Sequence, residues 1–338
     1  MRTHVKKFIA VGHLSLLALL IASPPGSAQT ILKCGTSTQS SHIYNQAVEF
    51  FARIVADKSV DDIQIQLFPA AQLGSERDMV EGLQLGSLEM TLTSTVPLTN
   101  FVPQVSLFTL PFLFKDRETC YKVLDGPIGA GVAALLTKVG IRSLAWYESG
   151  FVNITNSKGP IEKPADMNDL KIRVTEDDIF IQTMKALGAS PLPMAFEELY
   201  AALEQKTVDA QENPLAVIHF SRLFEVQPYL AMTDHFYTPA MLLISEIAWQ
   251  RLTSEQQDIL VDAAVQARDY ERKISAEADQ ILEAELVREG MQVSHPDRAP
   301  FVKAVAPVYE NPAVIKAIGG GDAVEGQRLI DAVLEAAR

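Results

Sequence analysis

The chain has 338 residues and a formal net charge of −13 at pH 7, with 29 Lys and Arg residues against 42 Asp and Glu residues. An acidic chain without a basic run argues against nucleic-acid binding and against attachment to anionic membranes. The length is sufficient for two domains of ordinary size.

The N-terminus predicts a secretory signal peptide over residues 1–28. Three basic residues and no acid precede a mostly apolar stretch at 8–22, and small residues end at Ala28. This order predicts cleavage between Ala28 and Gln29 and a location in the periplasm. The alternative is an uncleaved anchor, but the apolar run is short for the ~20 residues of a spanning helix. We therefore expect no stable membrane insertion after cleavage.

Residues 31–94 alternate between strand and helix patterns, which predicts an α/β fold with helices on the faces of a sheet. Ile63 and Ile65 alternate with glutamines, as in a half-buried strand. Ser75 is a predicted helix N-cap, and Glu76 is a favourable acid in the first turn. The predicted order is strand 31–35, helix 43–54, strand 63–67, a helix after residue 75 and a strand near 89–92.

A second unit begins near Gly150. A strand is predicted to end at Arg173 and Val174, and the helix after it to stop at Gly188. The predicted elements that follow the strand are helix 179–187, helix 196–204 and strand 207–211.

The C-terminal region is predicted to be mostly helical. Thr253 and Gln256 match a capping box, and no proline or glycine follows until Gly290. A continuous helix over 254–289 would be about 54 Å long, more than one small domain needs. From the residues alone, the helix either kinks or lies across two domains.

Cys34 and Cys120 are the only cysteines. An exported protein can oxidise such a pair, but Cys34 falls in a predicted strand and Cys120 in a predicted helix, and their spacing does not favour pairing. The sequence leaves open a disulfide or two free thiols. Two cysteines this far apart predict no metal site.

Several short segments are more informative about the function than the composition is, because they occur in a particular order and spacing. They are Pro-Ala-Ala-Gln-Leu-Gly at 69–74, Leu-Pro-Phe-Leu-Phe at 110–114, Leu-Lys-Ile-Arg-Val at 170–174, Pro-Leu-Pro-Met-Ala-Phe-Glu-Glu-Leu-Tyr at 191–200 and Gln-Glu-Asn-Pro-Leu at 211–215. Together they resemble the solute-binding proteins of TRAP (tripartite ATP-independent periplasmic) transporters, of the dicarboxylate-binding-protein (DctP) type. The resemblance covers nearly the whole mature chain.

The resemblance implies a two-lobed periplasmic binding protein, type II-like, with one long helix spanning both lobes. We predict a first lobe of 29–149 plus about 239–278, and a second of 150–238 plus about 279–338. A small organic acid would be captured in the interlobe cleft and delivered to the membrane permease of a TRAP transporter. We expect a monomer.

Three residues are implied as the centre of the site. An arginine at the position of Arg173 grips the ligand carboxylate in this family, and a guanidinium matches a carboxylate with two parallel charge-assisted hydrogen bonds. Asn213 can both donate and accept hydrogen bonds. Phe196 is expected to pack against an apolar ligand face.

Further candidate ligand residues are Ser37, His42, Ser94, Asn153 and Tyr237. Ser94 stands where many relatives have an acid. Val152 stands where many have a second ligand arginine. These departures favour a sugar acid or a hydroxy- or keto-monocarboxylate over a dicarboxylate held by two arginines.

The usual enzyme signatures are missing. The sequence has no Gly-x-Ser-x-Gly elbow, no His-Glu-x-x-His, no phosphate loop and no dinucleotide glycine pattern. We expect neither a cofactor nor a bound metal. The alternatives are a ligand-binding subunit that presents the same ligand to a sensor kinase, and an enzyme on the same scaffold.

Overall fold

The computed structural model describes residues 29–338, so the predicted signal peptide at 1–28 lies outside the described part. The strands are β1 (Thr30–Gly35), β2 (Ile63–Phe68), β3 (Met90–Ser94), β4 (Ile141–Asn156), β5 (Lys171–Val174), β6 (Ser190–Pro193), β7 (Ala210–Pro214), β8 (Tyr229–Ser245) and β9 (Gln292–Ser294).

The α-helices pack around these strands. They are α1 (Ile43–Ser59), α2 (Glu76–Leu85), α3 (Arg117–Leu124), α4 (Pro127–Thr137), α5 (Asp178–Ala186), α6 (Leu199–Glu204), α7 (Leu215–Phe220), α8 (Glu246–Trp249), α9 (Ser254–Arg288), α10 (Arg298–Tyr309), α11 (Pro312–Ile318) and α12 (Ala323–Ala336). Short 3-10 segments lie at Val96–Asn100, Pro103–Thr109, Pro164–Met167, Phe196–Glu198 and Leu223–Glu225.

One mixed sheet runs through the protein in the order β2-β1-β3-β8-β4-β7-β5-β6, with β9 also paired to β8. The outer pairs β1–β2, β1–β3, β5–β6 and β5–β7 are parallel, while β3–β8, β4–β8 and β4–β7 are antiparallel. The predicted α/β fold is confirmed.

The long strands β4 and β8 join two halves of this sheet. β3 pairs with the C-terminal end of β8, and β7 pairs with the C-terminal end of β4. We call β1, β2, β3 and the strand ends beside them the first lobe, and β5, β6, β7, β9 and the opposite strand ends the second lobe. The residue boundaries predicted for the lobes stay a prediction.

The β4–β8 ladder is irregular where the lobes meet. Its register shifts between Glu148 and Gly150 and again between Val152 and Ile154. Gly150 has φ +120, a backbone conformation that residues with a Cβ rarely adopt. This glycine therefore permits a local change of strand direction between the lobes.

Helix α9 connects the lobes on the outside. Its 35 residues begin at a capping box of Thr253 and Gln256, as predicted, and give a length of about 52 Å. Leu260 packs in a core with strands β1 and β2, whereas Leu286 packs in a core with α6 and α7. The helix is continuous and spans both lobes, which decides between the two possibilities left by the sequence.

Other local predictions differ in detail. The strand predicted at 207–211 is Ala210–Pro214, and the helix predicted at 196–204 begins as a 3-10 segment. Cys34 and Cys120 are both free and buried, in separate hydrophobic clusters. Within residues 29–338, no helix has both the length and the apolar character required to cross a membrane.

Gly150→Ala should lower the free energy of unfolding by about 1–3 kcal/mol, because alanine is strained at this φ. Gly131→Ala is the matched control: Gly131 lies inside α4, and a Cβ there meets nothing within 4 Å. The control should be neutral or stabilising by about 0.5–1 kcal/mol. Denaturant unfolding of both variants measures the difference, and equal effects would contradict the role given to Gly150.

Candidate ligand-binding site

A small cavity lies between the two lobes. It is lined by Ser37, Thr38, Tyr44, Glu76, Ser94, Ser149, Arg173, Thr175, Phe196, Asn213 and Val217. A second small cavity shares Glu76, Arg173, Thr175 and Phe196 with it. We treat the two as one cleft. It brings together five of the eight residues predicted from the sequence.

Arg173 is fixed at the end of β5. Its side chain is 1% exposed, and its Nε and Nη2 atoms donate to the carbonyl oxygen of Met194 at 3.0 and 2.7 Å. Burial lowers the pKa of Arg173 to about 10, while Glu212 and other acids oppose that shift. The guanidinium therefore stays charged at neutral pH. Among residues 29–338 it forms no ion pair with a carboxylate.

Asn213 is oriented by a buried hydrogen-bond chain. Its Nδ2 donates to Gln211 Oε1 at 2.5 Å, and Gln211 Nε2 donates to Thr155 Oγ1 at 2.8 Å. Thr155 in turn donates to Gln227 Oε1 at 3.1 Å. Because Gln211, Thr155 and Gln227 are fully buried, the amide of Asn213 is held in one orientation at the cavity wall.

The acid Glu212, between Gln211 and Asn213, points away to a different partner. Its Oε2 lies 2.7 Å from Nε2 of His235, and both side chains are fully buried. Burial raises the pKa of Glu212, while His235 and Arg173 oppose the rise. Glu212 therefore has His235 as its hydrogen-bond partner and does not form an ion pair with the guanidinium of Arg173.

Phe196 and two serines complete the predicted lining. Phe196 contributes to both parts of the cleft and supplies an apolar wall opposite the polar side chains. Ser94 ends β3, and Ser37 follows β1 and donates to Glu76 Oε1 at 3.0 Å. Both serines thus reach the cavity from the ends of first-lobe strands, where ligand sites in α/β proteins collect.

His42 has a structural position beside the cavity. Its Nδ1 accepts from the backbone N–H of Tyr44 as the N-cap of α1, and its ring packs edge-on against Tyr44 and Phe220. Burial lowers its pKa to about 3, so the ring is neutral. His42 does not line the cleft, and we leave it out of the proposed ligand shell.

Asn153 and Tyr237 are also engaged elsewhere. Asn153 Oδ1 accepts from the backbone N–H of Asp234 at 3.0 Å. The Tyr237 hydroxyl donates to Glu148 at 3.2 Å, inside a buried group that includes Arg117. Neither residue lines the cleft in this structure, and their assignment as ligand contacts stays a prediction.

Val152 is buried beside the second lobe. Its side chain is 2% exposed, packs in the core and does not line the cleft. Its Cα pairs with Pro214 of β7. The ligand preference inferred from a valine at this position stays a prediction.

Sequence reasoning missed several lining residues, among them Tyr44 and Glu76. Glu76 was assigned only a stabilising role at the start of α2. Tyr44 occupies the first turn of α1, and burial raises its pKa well above the ordinary value. Both residues lie at the start of a helix that follows a first-lobe strand. This position in the sequence could have indicated that they line the cleft.

The cleft is bridged at its mouth by contacts between lobes. The carboxylate of Glu197 accepts from the backbone N–H of Glu76 at 3.3 Å, at the N-terminus of α2. Arg77 lies 3.9 Å from Glu176. These contacts define a closed arrangement. Within the described chain, no group of three His, Cys, Asp or Glu residues is placed to hold a metal ion.

Comparison with known proteins places this geometry in a family. Residues 34–314 match the family described as bacterial extracellular solute-binding protein, family 7. The chain is 38% identical to a solute-binding protein of Verminephrobacter eiseniae strain EF01-2, over 83% of this chain and 84% of the relative. It is 33% identical to the 2,3-diketo-L-gulonate-binding periplasmic protein YiaO of Escherichia coli strain K12, over 86% of this chain and 89% of that relative.

Solved structures agree with this relationship. The sugar acid binding protein DctPAm from Advenella mimigardefordensis, in complex with galactonate, superposes with a TM-score of 0.87 at 33% identity, covering 91% of this chain and 98% of that one. A TRAP periplasmic solute-binding protein from Polaromonas sp. JS666, bound to D-erythronate, superposes with a TM-score of 0.85 at 38% identity. The match covers 90% of this chain and 98% of that one. The chain therefore belongs to the family 7 extracellular solute-binding proteins and is a solute-binding protein of the TRAP type.

Proposed function

We propose that this protein captures a hydroxylated monocarboxylate of the sugar-acid class between its lobes and delivers it to a TRAP membrane permease. The observation that carries the proposal is the buried, immobilised guanidinium of Arg173, which faces a cavity lined by an amide and several hydroxyls.

The carboxylate preference follows from charge. Arg173 is a buried cation without an ion-pair partner among the described residues, and an isolated buried charge is unfavourable unless it is paired. A ligand carboxylate supplies that partner. Because two guanidinium nitrogens are already held by Met194, the carboxylate is received in a preset geometry.

The hydroxyl preference follows from the rest of the lining. Ser94, Ser149 and Thr175 each offer one donor and acceptor lone pairs, and Asn213 offers an oriented amide. A polyhydroxylated chain can satisfy these groups, whereas an alkyl chain would leave them desolvated and unpaired. The similar proteins in complex with galactonate and D-erythronate support a sugar acid as the ligand.

Closure of the lobes would isolate the ligand from water. Ligand groups come from both lobes, so binding favours the closed arrangement over an open one. In the proposed cycle a monomer, exported after cleavage following Ala28, closes on the ligand in the periplasm and then docks to the permease. The family is one of solute-binding proteins, so the enzyme alternative gains no support from it.

A thermal-shift screen of organic acids tests the proposal directly. Sugar monoacids such as D-galactonate and D-erythronate should raise the melting temperature, because a ligand that binds only the folded state stabilises it. Neutral sugars of the same size serve as controls. Stabilisation by neutral sugars alone, or by no acid, would refute the proposed ligand class.

Arg173→Ala should weaken binding of the best sugar acid roughly 30- to several-thousand-fold, the equivalent of about 2–5 kcal/mol for truncating a buried charged pair. Arg173→Lys should also bind poorly, because an ammonium cannot reproduce the planar fork. Arg251→Ala is the control: Arg251 is exposed and does not line the cleft, so this variant should bind the sugar acid as the wild type does. Calorimetry that finds equal affinities for all variants would contradict the anchoring role.

Glu197→Ala should increase the ligand dissociation rate several-fold, because the closed form loses the bond between Glu197 and the N-terminus of α2. The neighbouring acid Glu198 is exposed and makes no such contact, so Glu198→Ala should dissociate at the wild-type rate. Stopped-flow measurement separates the cases. If Glu197→Ala dissociates like Glu198→Ala, the bridge does not hold the closed form.

A further inference from the structure

A cluster of buried ionisable side chains lies outside the cleft, where β4, β8, α3 and α9 meet. Glu148 of β4 is 1% exposed, and its carboxylate accepts from Arg117 Nε at 2.9 Å. It also accepts from the hydroxyls of Tyr121 at 2.7 Å and Tyr237 at 3.2 Å. Each of these partners donates a hydrogen bond, which suits a carboxylate rather than a carboxylic acid. Glu148 is therefore a buried anion with Arg117 as its counter-ion.

Glu271 of α9 holds the same stretch of β4 by its backbone. Its Oε2 accepts from the backbone N–H of Glu148 at 3.2 Å, and its Oε1 lies 2.9 Å from Ser275 Oγ. The side chain of Glu271 is fully buried. Ser149, the next residue of β4, lines the cleft, and Gly150 follows at the irregular part of the ladder. The contact therefore joins the long helix to β4 one residue away from the cleft wall.

The guanidinium groups of this region are already committed to other acids. Arg117 donates to Asp279 of α9 as well as to Glu148, so its charge is shared between two carboxylates. Arg272 donates to both carboxylate oxygens of Asp125, at 2.6 and 2.9 Å. Neither guanidinium is free to neutralise a further carboxylate.

We propose that Glu271 keeps its proton in the folded protein and is a positioning residue that joins α9 to β4 where the lobes meet. Glu271 forms no ion pair among residues 29–338. As a neutral acid it can accept from the N–H of Glu148 through one oxygen and donate to Ser275 Oγ through the other. Loss of the proton would place a second buried anion beside Glu148, and like charges in a buried site repel each other. The link between helix and strand is then weakened.

The groups packed around Glu271 favour its neutral form. Burial raises the pKa of Glu271 well above its ordinary value of 4.5, and the charge of Glu148 raises it further. Hydrogen bonds from Ser275 and from the backbone of Glu148, together with the charge of Arg272, oppose this rise. The other titratable groups that face Glu271 are Tyr44 of α1, Tyr121 of α3 and Tyr147 of β4. Burial raises the pKa of each tyrosine, so these hydroxyls are neutral and supply no positive charge.

A proton held by Glu271 makes the stability of the folded protein fall as the pH rises. In the unfolded chain Glu271 ionises near its ordinary pKa of 4.5, whereas the folded protein retains the proton to higher pH. Unfolding above this pH therefore releases a proton. The equilibrium constant for unfolding then increases by up to about tenfold per pH unit, until the folded protein also releases the proton.

Denaturant unfolding at pH 5 and pH 8 tests the inference without any ligand. Glu271→Gln keeps the acceptor for the N–H of Glu148 and removes the titration. Between the two pH values, the unfolding constant of the wild type should rise about 10- to 1000-fold more than that of Glu271→Gln, the range available to one proton. Glu277 is an exposed acid on the same helix, so Glu277→Gln is the control and should follow the wild type. Parallel pH profiles of Glu271→Gln and the wild type would overturn the inference.

Calorimetry with D-galactonate at pH 6 measures the positioning role. Glu271→Ala leaves the buried N–H of Glu148 without an acceptor and should weaken binding about 5- to 100-fold. Glu271→Gln should bind as the wild type does. Equal affinities of Glu271→Ala and the wild type would contradict the positioning role.

Two further outcomes are separable. If neither D-galactonate nor another sugar acid binds the wild type, the proposed function fails, whereas the unfolding measurement still tests the proton on Glu271. If Glu271→Gln does not fold, the infrared spectrum of the wild type at pH 7 replaces it. A spectrum without the carbonyl band of a protonated carboxyl group would overturn the inference.

Discussion

The site depends on holding the guanidinium of Arg173 where water is largely excluded. Two of its nitrogens donate to one carbonyl, that of Met194, so the side chain cannot turn away to solvent. Glu212 lies near enough to oppose the fall in pKa but is itself paired with His235. The cation is therefore held in place without a carboxylate bound directly to it among the described residues. In the proposed function, the ligand carboxylate would be its partner.

The rest of the fold places groups around that charge from two directions. Parallel strands end at the cleft in each lobe and present Ser94 from one side and Arg173 from the other. Strands β4 and β8 pass between the lobes, with Gly150 at the irregular part of their ladder. A ligand that touches both lobes therefore acts on a connection of a few strand residues, which is the arrangement that hinge closure requires.

The sequence was sufficient to predict the architecture and to single out Arg173, which the structure places in the cleft. Period-2 and helical patterns located most elements, and the capping box at Thr253 located the start of α9. Arg173 was recognisable because several short motifs surround it at fixed spacing. Glu76 was not recognisable as a cleft residue. An acid in the first turn of a helix is already explained by its favourable interaction with the helix N-terminus. His42 was predicted to contact the ligand because of its chemistry, and in the structure its Nδ1 caps α1. Which face of an element meets the other lobe is a property of tertiary packing, and local sequence does not encode it.

Helix α9 has a mechanical consequence. It contains no proline or glycine, and its two ends are anchored by apolar side chains in different lobes, at Leu260 and at Leu286. If the lobes separate, this continuous helix of about 52 Å must either bend or move one of its ends out of the core in which that end packs. Curving distributes small distortions over many backbone hydrogen bonds, whereas extraction exposes leucines to water. The helix therefore resists bending along the outside of the molecule. Its bending stiffness contributes to the angle between the two lobes.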